Sequence, residues 1–234
     1  MVTSLQAYQD YLIKEKNYSP LTVQAYIADV LSFQDYLNSE HDAILIEEVL
    51  YSQIRSWIVV LVENNISNTS VNRKISSLKS FYKFLLKSKQ ILVNPLLKHK
   101  SLKTAKKVQI PFSEKELQDV FEFNSYSNDF EGIRNQLIIE LFYTTGIRRA
   151  EMINLKLMNV DLIQKTIKVV GKRNKERIIP LLDCTKKIIE LYKEQRNHLE
   201  IISNNEMLIL SKTGNKVSES FVYRLINEYF STVS

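Results

Sequence analysis

Only four Gly and four Pro occur in 234 residues. That scarcity constrains the fold more than any motif does, because a backbone with so few breakers should be mostly helical. With 44% hydrophobic residues the chain can bury a real core, and its length suggests two domains. Its longest apolar run, Trp57 to Val62, falls far short of the roughly 20 residues of a membrane span, and the N-terminal segment lacks the apolar core of an export signal. The single cysteine, Cys184, excludes an internal disulfide, and His41, His99 and His198 are too far apart in sequence for a zinc spacing. A cytoplasmic protein without a metal or other cofactor is expected.

The net charge of +6 is unevenly placed. Residues 1–107 carry 14 Lys/Arg against 9 Asp/Glu, and the remainder 18 against 17. Between Glu63 and Glu114 there is no acidic residue, whereas Arg73, Lys74, Lys79, Lys83, Lys87, Lys89, Lys98, Lys100, Lys103, Lys106 and Lys107 all fall there. Surface lysines that merely keep a helix soluble are the plain alternative, but solubility does not require one sign to be excluded for fifty residues. A polyanion is the natural partner.

Apolar periodicity predicts four helices in the first part: one around Leu5, Tyr8 and Leu12; one from Pro20 to about Leu37; one over Tyr51 to Glu63; and one over Ser70 to Ser88. Ser19 is a good N-cap, and Pro20 suits the first helical position. In the second helix Ala25, Tyr26, Val30, Phe33 and Leu37 are expected to face inward. In the fourth, Ile75, Leu78, Phe81 and Leu85 form the apolar stripe, while Lys79, Lys83 and Lys87 line another face as a cationic ridge with Ser76, Ser77 and Ser80 nearby. Such a ridge suits the phosphates beside a major groove. Asn94-Pro95 ends this region, and residues 98–110 read as a basic, extended linker.

Beyond the linker, Ser113 and Glu116 have capping-box spacing and open a helix to about Phe123. A helix near Phe130 to Thr144 ends at Gly146, a left-handed C-cap, and a short helix begins near Arg148. The segments TIKVV and RIIPL flank GKRNKE and predict an antiparallel hairpin with a charged tip. Helices at about Asp183 to Asn197 and Ser218 to Phe230 flank a possible short strand, MLIL. The fold class is mainly α with a small β-hairpin or sheet, α+β.

The string LFYTTGIRRAE at 141–151 is a helix end, a tight glycine turn and two arginines at a new helix start. An arginine rooted there can be held so that its planar fork meets two phosphate oxygens, and Glu151 is placed to orient Arg148 or a backbone group beside it. A structural Arg-Glu pair on a helix is the competing reading.

This string resembles the first conserved box of the tyrosine recombinases of the phage-integrase type. Residues 167–181, IKVVGKRNKERIIPL, resemble the hairpin of the Xer subgroup, and residues 18–37 and 70–86 resemble its N-terminal DNA-clamping domain. The resemblance implies a SAM-like helical domain over 1–97, a linker over 98–110 and part of a catalytic domain over 111–234, together closing on duplex DNA. It implies a tyrosine that attacks the scissile phosphate, forms a 3′-phosphotyrosyl link and releases a 5′-hydroxyl, without metal or nucleotide. Arg148 is then the first catalytic arginine, with Glu151 in support. Lys172 protonates the leaving oxygen, with Lys175 as runner-up. DNA contacts fall to Arg73, Lys74, Lys79, Lys83, Lys87, Lys103, Lys106, Lys107, Arg173 and Lys175, and Arg149 is DNA-facing or structural. A recombinase tetramer on two DNA sites, with a paralogous partner recombinase allowed, is the implied assembly.

The chain also departs from the family pattern. Three residues after His41, His99 and His198 come Ile44, Leu102 and Ile201, so no H-x-x-R occurs. Lys193 and Arg196 have K-x-x-R spacing but lie in a helix where the family has no catalytic box. Tyr223 and Tyr229 read as packing residues, so the nucleophilic tyrosine is absent and the chain is expected to bind DNA without cleaving it. A noncatalytic regulator or decoy derived from a recombinase is the alternative, and a helical module that never touches nucleic acid is the third reading.

Overall fold

A computed structural model describes residues 3–42, 44–105, 111–123, 126–171 and 174–231, without the side chains of 119 and 121–123. The chain divides into two compact units, Met1–Val108 and Gln109–Ser234.

The first unit contains helices α1 (Ser4–Lys14), α2 (Pro20–Glu40), α3 (Tyr51–Glu63) and α4 (Asn68–Lys87). Three of them start where a short hydroxyl side chain satisfies an orphan amide. Thr3 accepts from the Gln6 N–H, Ser19 from Thr22 and Ser67 from Ser70. It is Ser67 that caps α4, which accordingly begins two residues before the expected Ser70. Helix α4 packs against α1, α2 and α3, and its Leu78, Phe81, Tyr82 and Leu85 are buried with Tyr8, Phe33, Leu37, Ile54 and Trp57. Edge and tilted ring contacts, Tyr8 to Phe81 at 5.1 Å and Phe33 to Trp57 at 5.0 Å, lock the interior. On α2 the inward face differs from expectation: Val23 and Asp29 are buried, and Ala25 and Tyr26 only half-buried.

The chain leaving α4 does not hang free at once. The Asn72 amide donates to the Leu102 carbonyl and accepts from the Leu102 N–H, both at 2.9 Å. One turn earlier Asn68 donates to the Lys103 carbonyl at 2.8 Å, and the Lys79 ammonium reaches the His99 carbonyl at 3.3 Å. Leu102 packs on the core of the unit. Residues 99–103 are therefore strapped along one flank of α4, although residues 98–110 read from sequence as a linker.

The second unit contains α5 (Glu114–Phe123), α6 (Phe130–Thr145), α7 (Arg149–Ile153), β1 (Val160–Asp161), β2 (Thr166–Val170), β3 (Glu176–Pro180), α8 (Asp183–Asn197) and α9 (Glu219–Ser231). Ser113 and Glu116 cap α5 reciprocally: the Glu116 N–H donates to the Ser113 hydroxyl oxygen at 3.3 Å and the Ser113 N–H to the Glu116 carboxylate at 2.6 Å. The sheet is antiparallel in the order β1-β2-β3, with Ile167 opposite Ile179 and Val169 opposite Arg177. Ile167 and Val169 bury one face of β2 against Leu137, Leu141, Met152 and Ile153.

The expected MLIL strand does not form. Met207 and Leu210 make isolated bridges to Lys156 and Lys216, while Leu208, Ile209 and Leu210 are fully buried rather than alternating. The backbone amides in this stretch go to unrelated partners, Leu208 to the Leu155 carbonyl and Leu210 to the Tyr192 hydroxyl, so no ladder can run. Among the described residues no helix is long and apolar enough to cross a membrane.

Removing the two Asn72 bonds costs about 1–2 kcal/mol. Asn72→Ala should lower the stability of the first unit by that amount and sharply speed hydrogen exchange at the Leu102 amide. An unchanged Leu102 exchange rate would contradict the strap.

Candidate functional site

Helix α6 ends at Gly146, whose φ of 59° lies in the left-handed region and whose N–H returns to the Phe142 carbonyl at 3.1 Å. Ile147 is buried and anchors the turn. The next residue, Arg148, is extended and serves as N-cap of α7. Glu151, at the third position of α7, accepts the Arg148 backbone N–H at 2.9 Å on Oε2 and the Arg148 guanidinium at 2.9 Å on Oε1. From β3, Arg177 closes on the same carboxylate in two-pronged fashion, at 2.8 Å to Oε1 and 2.7 Å to Oε2.

The Glu151 side chain is only 4% exposed, whereas that of Arg148 is 71% exposed. One sunken carboxylate thus holds two guanidinium groups, leaving a net charge of +1 that faces solvent through Arg148. The Arg177 hydrogen bonds, joined by those of Arg148, outweigh burial and hold the Glu151 carboxyl down at about 2, so it is ionised throughout the neutral range.

The hairpin turn starts against this cluster. A Cβ on Gly171 would lie 3.0 Å from Glu151 Oε1 and 3.5 Å from Arg177 Nη1, so any larger residue there would require the clasp to give by a few tenths of an ångström. The Gly171 N–H donates to the Lys175 carbonyl at 2.7 Å across the turn, and Lys175 itself is exposed. Lys172 and Arg173, like Lys106 and Lys107, lie outside the described residues.

Arg149 pairs with Glu219 at 2.6 Å and ties α7 to α9. Arg196 is buried and donates to the Asn205 and Met207 carbonyls, a role internal to the fold. Tyr229 stacks on Tyr126 at 5.3 Å, whereas Tyr223, expected to pack, is 59% exposed beside an apolar groove of about 530 Å³ that also includes Phe112, Phe142 and Phe230. Among the described residues no group of three or more His, Cys, Asp or Glu is placed to hold a metal ion.

In the first unit the expected ridge is only partly open. Lys83 is exposed, Lys79 is half-buried on the His99 carbonyl, and Lys87 pairs with Glu15 at 2.9 Å over the Tyr11 ring. Arg73 and Lys74 both grip Asp29, and Lys103 is exposed at the end of the strap. Two residues with a part in these clusters escaped the sequence reading. Arg177 was legible in principle: alternation on β3 puts it on the same face as Ile179, and an arginine there needs a carboxylate. Asp29 shares the inward side of α2 with Val30 and Phe33, the same kind of signal.

A two-unit chain with a helical first unit, a glycine-turn arginine clasped by a sunken carboxylate and an antiparallel hairpin leaning on that clasp has the scaffold of a tyrosine-type DNA recombinase. Residues 5–89 match the phage integrase N-terminal SAM-like domain, and residues 111–232 match the phage integrase family. The tyrosine recombinase XerC of Staphylococcus epidermidis is 34% identical over 219 residues, 93% of this chain and 73% of that protein. XerC of Oceanobacillus iheyensis is 35% identical over 233 residues, 98% and 76% respectively. In fold, the XerH site-specific recombinase bound to palindromic difH substrate superposes with a TM-score of 0.75 at 18% identity, covering 99% of this chain and 68% of that one. The chain belongs to the phage integrase family and is a Xer-like, tyrosine-type site-specific recombinase, whose activity by family is DNA strand breakage and rejoining.

The depressed Glu151 carboxyl fixes a pH signature. Its ionised form adds stability that is fully present above the unfolded value near 4.5 and is lost as pH falls towards about 2. Glu151→Gln should cost about 2 kcal/mol at pH 7, and chemical denaturation should show the deficit shrinking between pH 4.5 and pH 2. A deficit constant over that range would disprove the clasp.

Proposed function

We propose that the second unit supplies the first half of a phosphoryl-transfer pocket and that the first unit grips duplex DNA around it, in a cytoplasmic setting that keeps the exposed Cys184 reduced. In this reading Arg148 donates to the nonbridging oxygens of the scissile phosphate as negative charge builds on them, with Glu151 and Arg177 fixing its direction. A lysine of the hairpin turn, Lys172 or failing that Lys175, gives a proton to the departing 5′-oxygen as a tyrosine oxygen bonds to phosphorus. The observation that carries the reading is the meeting of three separate elements at one carboxylate: the Arg148 turn, the β3 arginine and the Gly171 backbone.

No H-x-x-R occurs in these 234 residues, and neither Tyr229, which is engaged with Tyr126, nor the exposed Tyr223 is assigned as the nucleophile. In this reading these residues by themselves hold DNA without cutting it. The grip is assigned to Arg73, Lys74, Lys79, Lys83, Lys87 and Lys103, with Lys106, Lys107 and Arg173 added from the sequence alone.

Filter binding at graded salt should show affinity for duplex falling steeply, with a log-log slope of about −0.9 for each phosphate neutralised. The double change Lys79→Glu and Lys83→Glu should weaken binding about tenfold or more on every duplex and flatten that slope by about one unit per lost contact. A flat salt response in the unmodified chain would favour a helical module indifferent to nucleic acid. On a suicide duplex nicked near the crossover, no covalent protein-DNA product should form, and its appearance would overturn the binding-only assignment.

A further inference from the structure

The first unit holds a charge cluster around the buried Asp29, a residue given no role by the sequence, although its partners Arg73 and Lys74 are expected on DNA. Asp29, on α2, is 2% exposed. Its carboxylate accepts four hydrogen bonds from one stretch of α4: two from the Arg73 guanidinium at 2.7 and 2.9 Å, one from the Lys74 ammonium at 3.2 Å and one from the Ser77 hydroxyl at 2.7 Å. The two cations differ in exposure. The Lys74 side chain is 19% exposed and lies 6.0 Å from the centre of the Trp57 ring, whereas the Arg73 side chain remains 54% exposed.

We infer that Asp29 is a positioning residue for DNA binding: it clamps one edge of the Arg73 guanidinium at the flank of the α4 face, so that the edge left free meets a backbone phosphate in a preset orientation. This rests on the proposed duplex binding by the first unit. The geometry supports it in three ways. Joining α2 to α4 would need one cation, yet the carboxylate takes two, and the surplus charge emerges through the more exposed of them. Arg73 lies on the same solvent side of α4 as the exposed Ser76 and Lys83, at helical spacings of three and ten residues. On the opposite flank Lys79 is pinned by the His99 carbonyl, so cations held by hydrogen bonds border the face on both sides while Lys83 lies between them. A guanidinium already tied on one edge loses little rotamer freedom when a phosphate takes the other.

The test turns on a sign. Asp29→Asn removes a negative charge and makes the site more cationic. If Asp29 only joins helices, net charge sets the order of affinities and D29N binds duplex DNA at least as tightly as the unmodified chain. If Asp29 positions Arg73, D29N binds about three- to tenfold more weakly in spite of its extra positive charge, with a shallower salt slope. Arg73→Lys is the companion variant, because it keeps the charge and leaves Asp29 its Lys74 and Ser77 partners while removing the two-pronged fork. It should lose affinity by a similar factor with an unchanged melting temperature. Should D29N fail to melt cooperatively, R73K decides alone. R73K matching the unmodified chain, or a folded D29N binding as tightly or more tightly, overturns the inference. Absence of salt-sensitive duplex binding in the unmodified chain overturns both this and the function on which it rests.

Discussion

In each unit a carboxylate has been taken out of water and must be answered there. An isolated buried carboxylate costs several kcal/mol even after relaxation, so Glu151 and Asp29 oblige the fold to bring cations to them. Each recruits two: Arg148 and Arg177 in one case, Arg73 and Lys74 in the other. Two cations on one anion leave a surplus positive charge, and in both clusters it emerges through the more exposed cation, which is an arginine. The rest of the local structure serves that arrangement. Gly146 turns the chain so that Arg148 meets Glu151, the β2-β3 register brings Arg177 in from the side, and Gly171 lets the hairpin close without a side chain in the way.

Stability alone does not explain such clusters. Well-packed hydrophobic residues of similar volume often serve a fold as well as a buried ion pair, or better by a few kcal/mol. A hydrophobic replacement cannot present a directed guanidinium to solvent. Where a phosphate must be met by a donor already in place, the reorganisation is done during folding rather than at the moment of contact, and that is the condition under which electrostatic stabilisation of a transition state is most effective. The sunken carboxylates are thus best understood as mounts for arginines.

Much of this was legible in the sequence because it depends on local rules. The few breakers predicted helices, Ser19-Pro20 marked the start of α2, Ser113 and Glu116 the start of α5, and Gly146 the end of α6. The hairpin followed from β-branched runs around a charged turn. What escaped depends on contacts between distant segments. Residues 98–110 read as a basic, extended linker, and nothing in the composition of 99–103 reveals that Asn68 and Asn72 offer amides to their backbone. MLIL read as a possible short strand because fully buried apolar runs look alike whether or not a ladder exists. Lys79 and Lys87 looked equivalent to Lys83, and only the fold shows one bound to a carbonyl and another to Glu15.

Charge counts and charge positions therefore answer different questions in this protein. The acid-free stretch after Glu63 establishes a long-range attraction, screened by salt and indifferent to base sequence. It does not say which cations are at liberty to swing and which are fixed. Lys83 and Lys103, exposed on long flexible stems, suit the first role as mobile charges that follow the backbone of any duplex. Arg73 and Arg148, each clasped from behind, suit the second, because a fork held in one orientation accepts a phosphate at one place only. A recombinase needs both kinds. It must find DNA by undirected attraction, then hold one phosphodiester in register with its catalytic groups, and in the proposed function the loose lysines serve the first task and the mounted arginines the second.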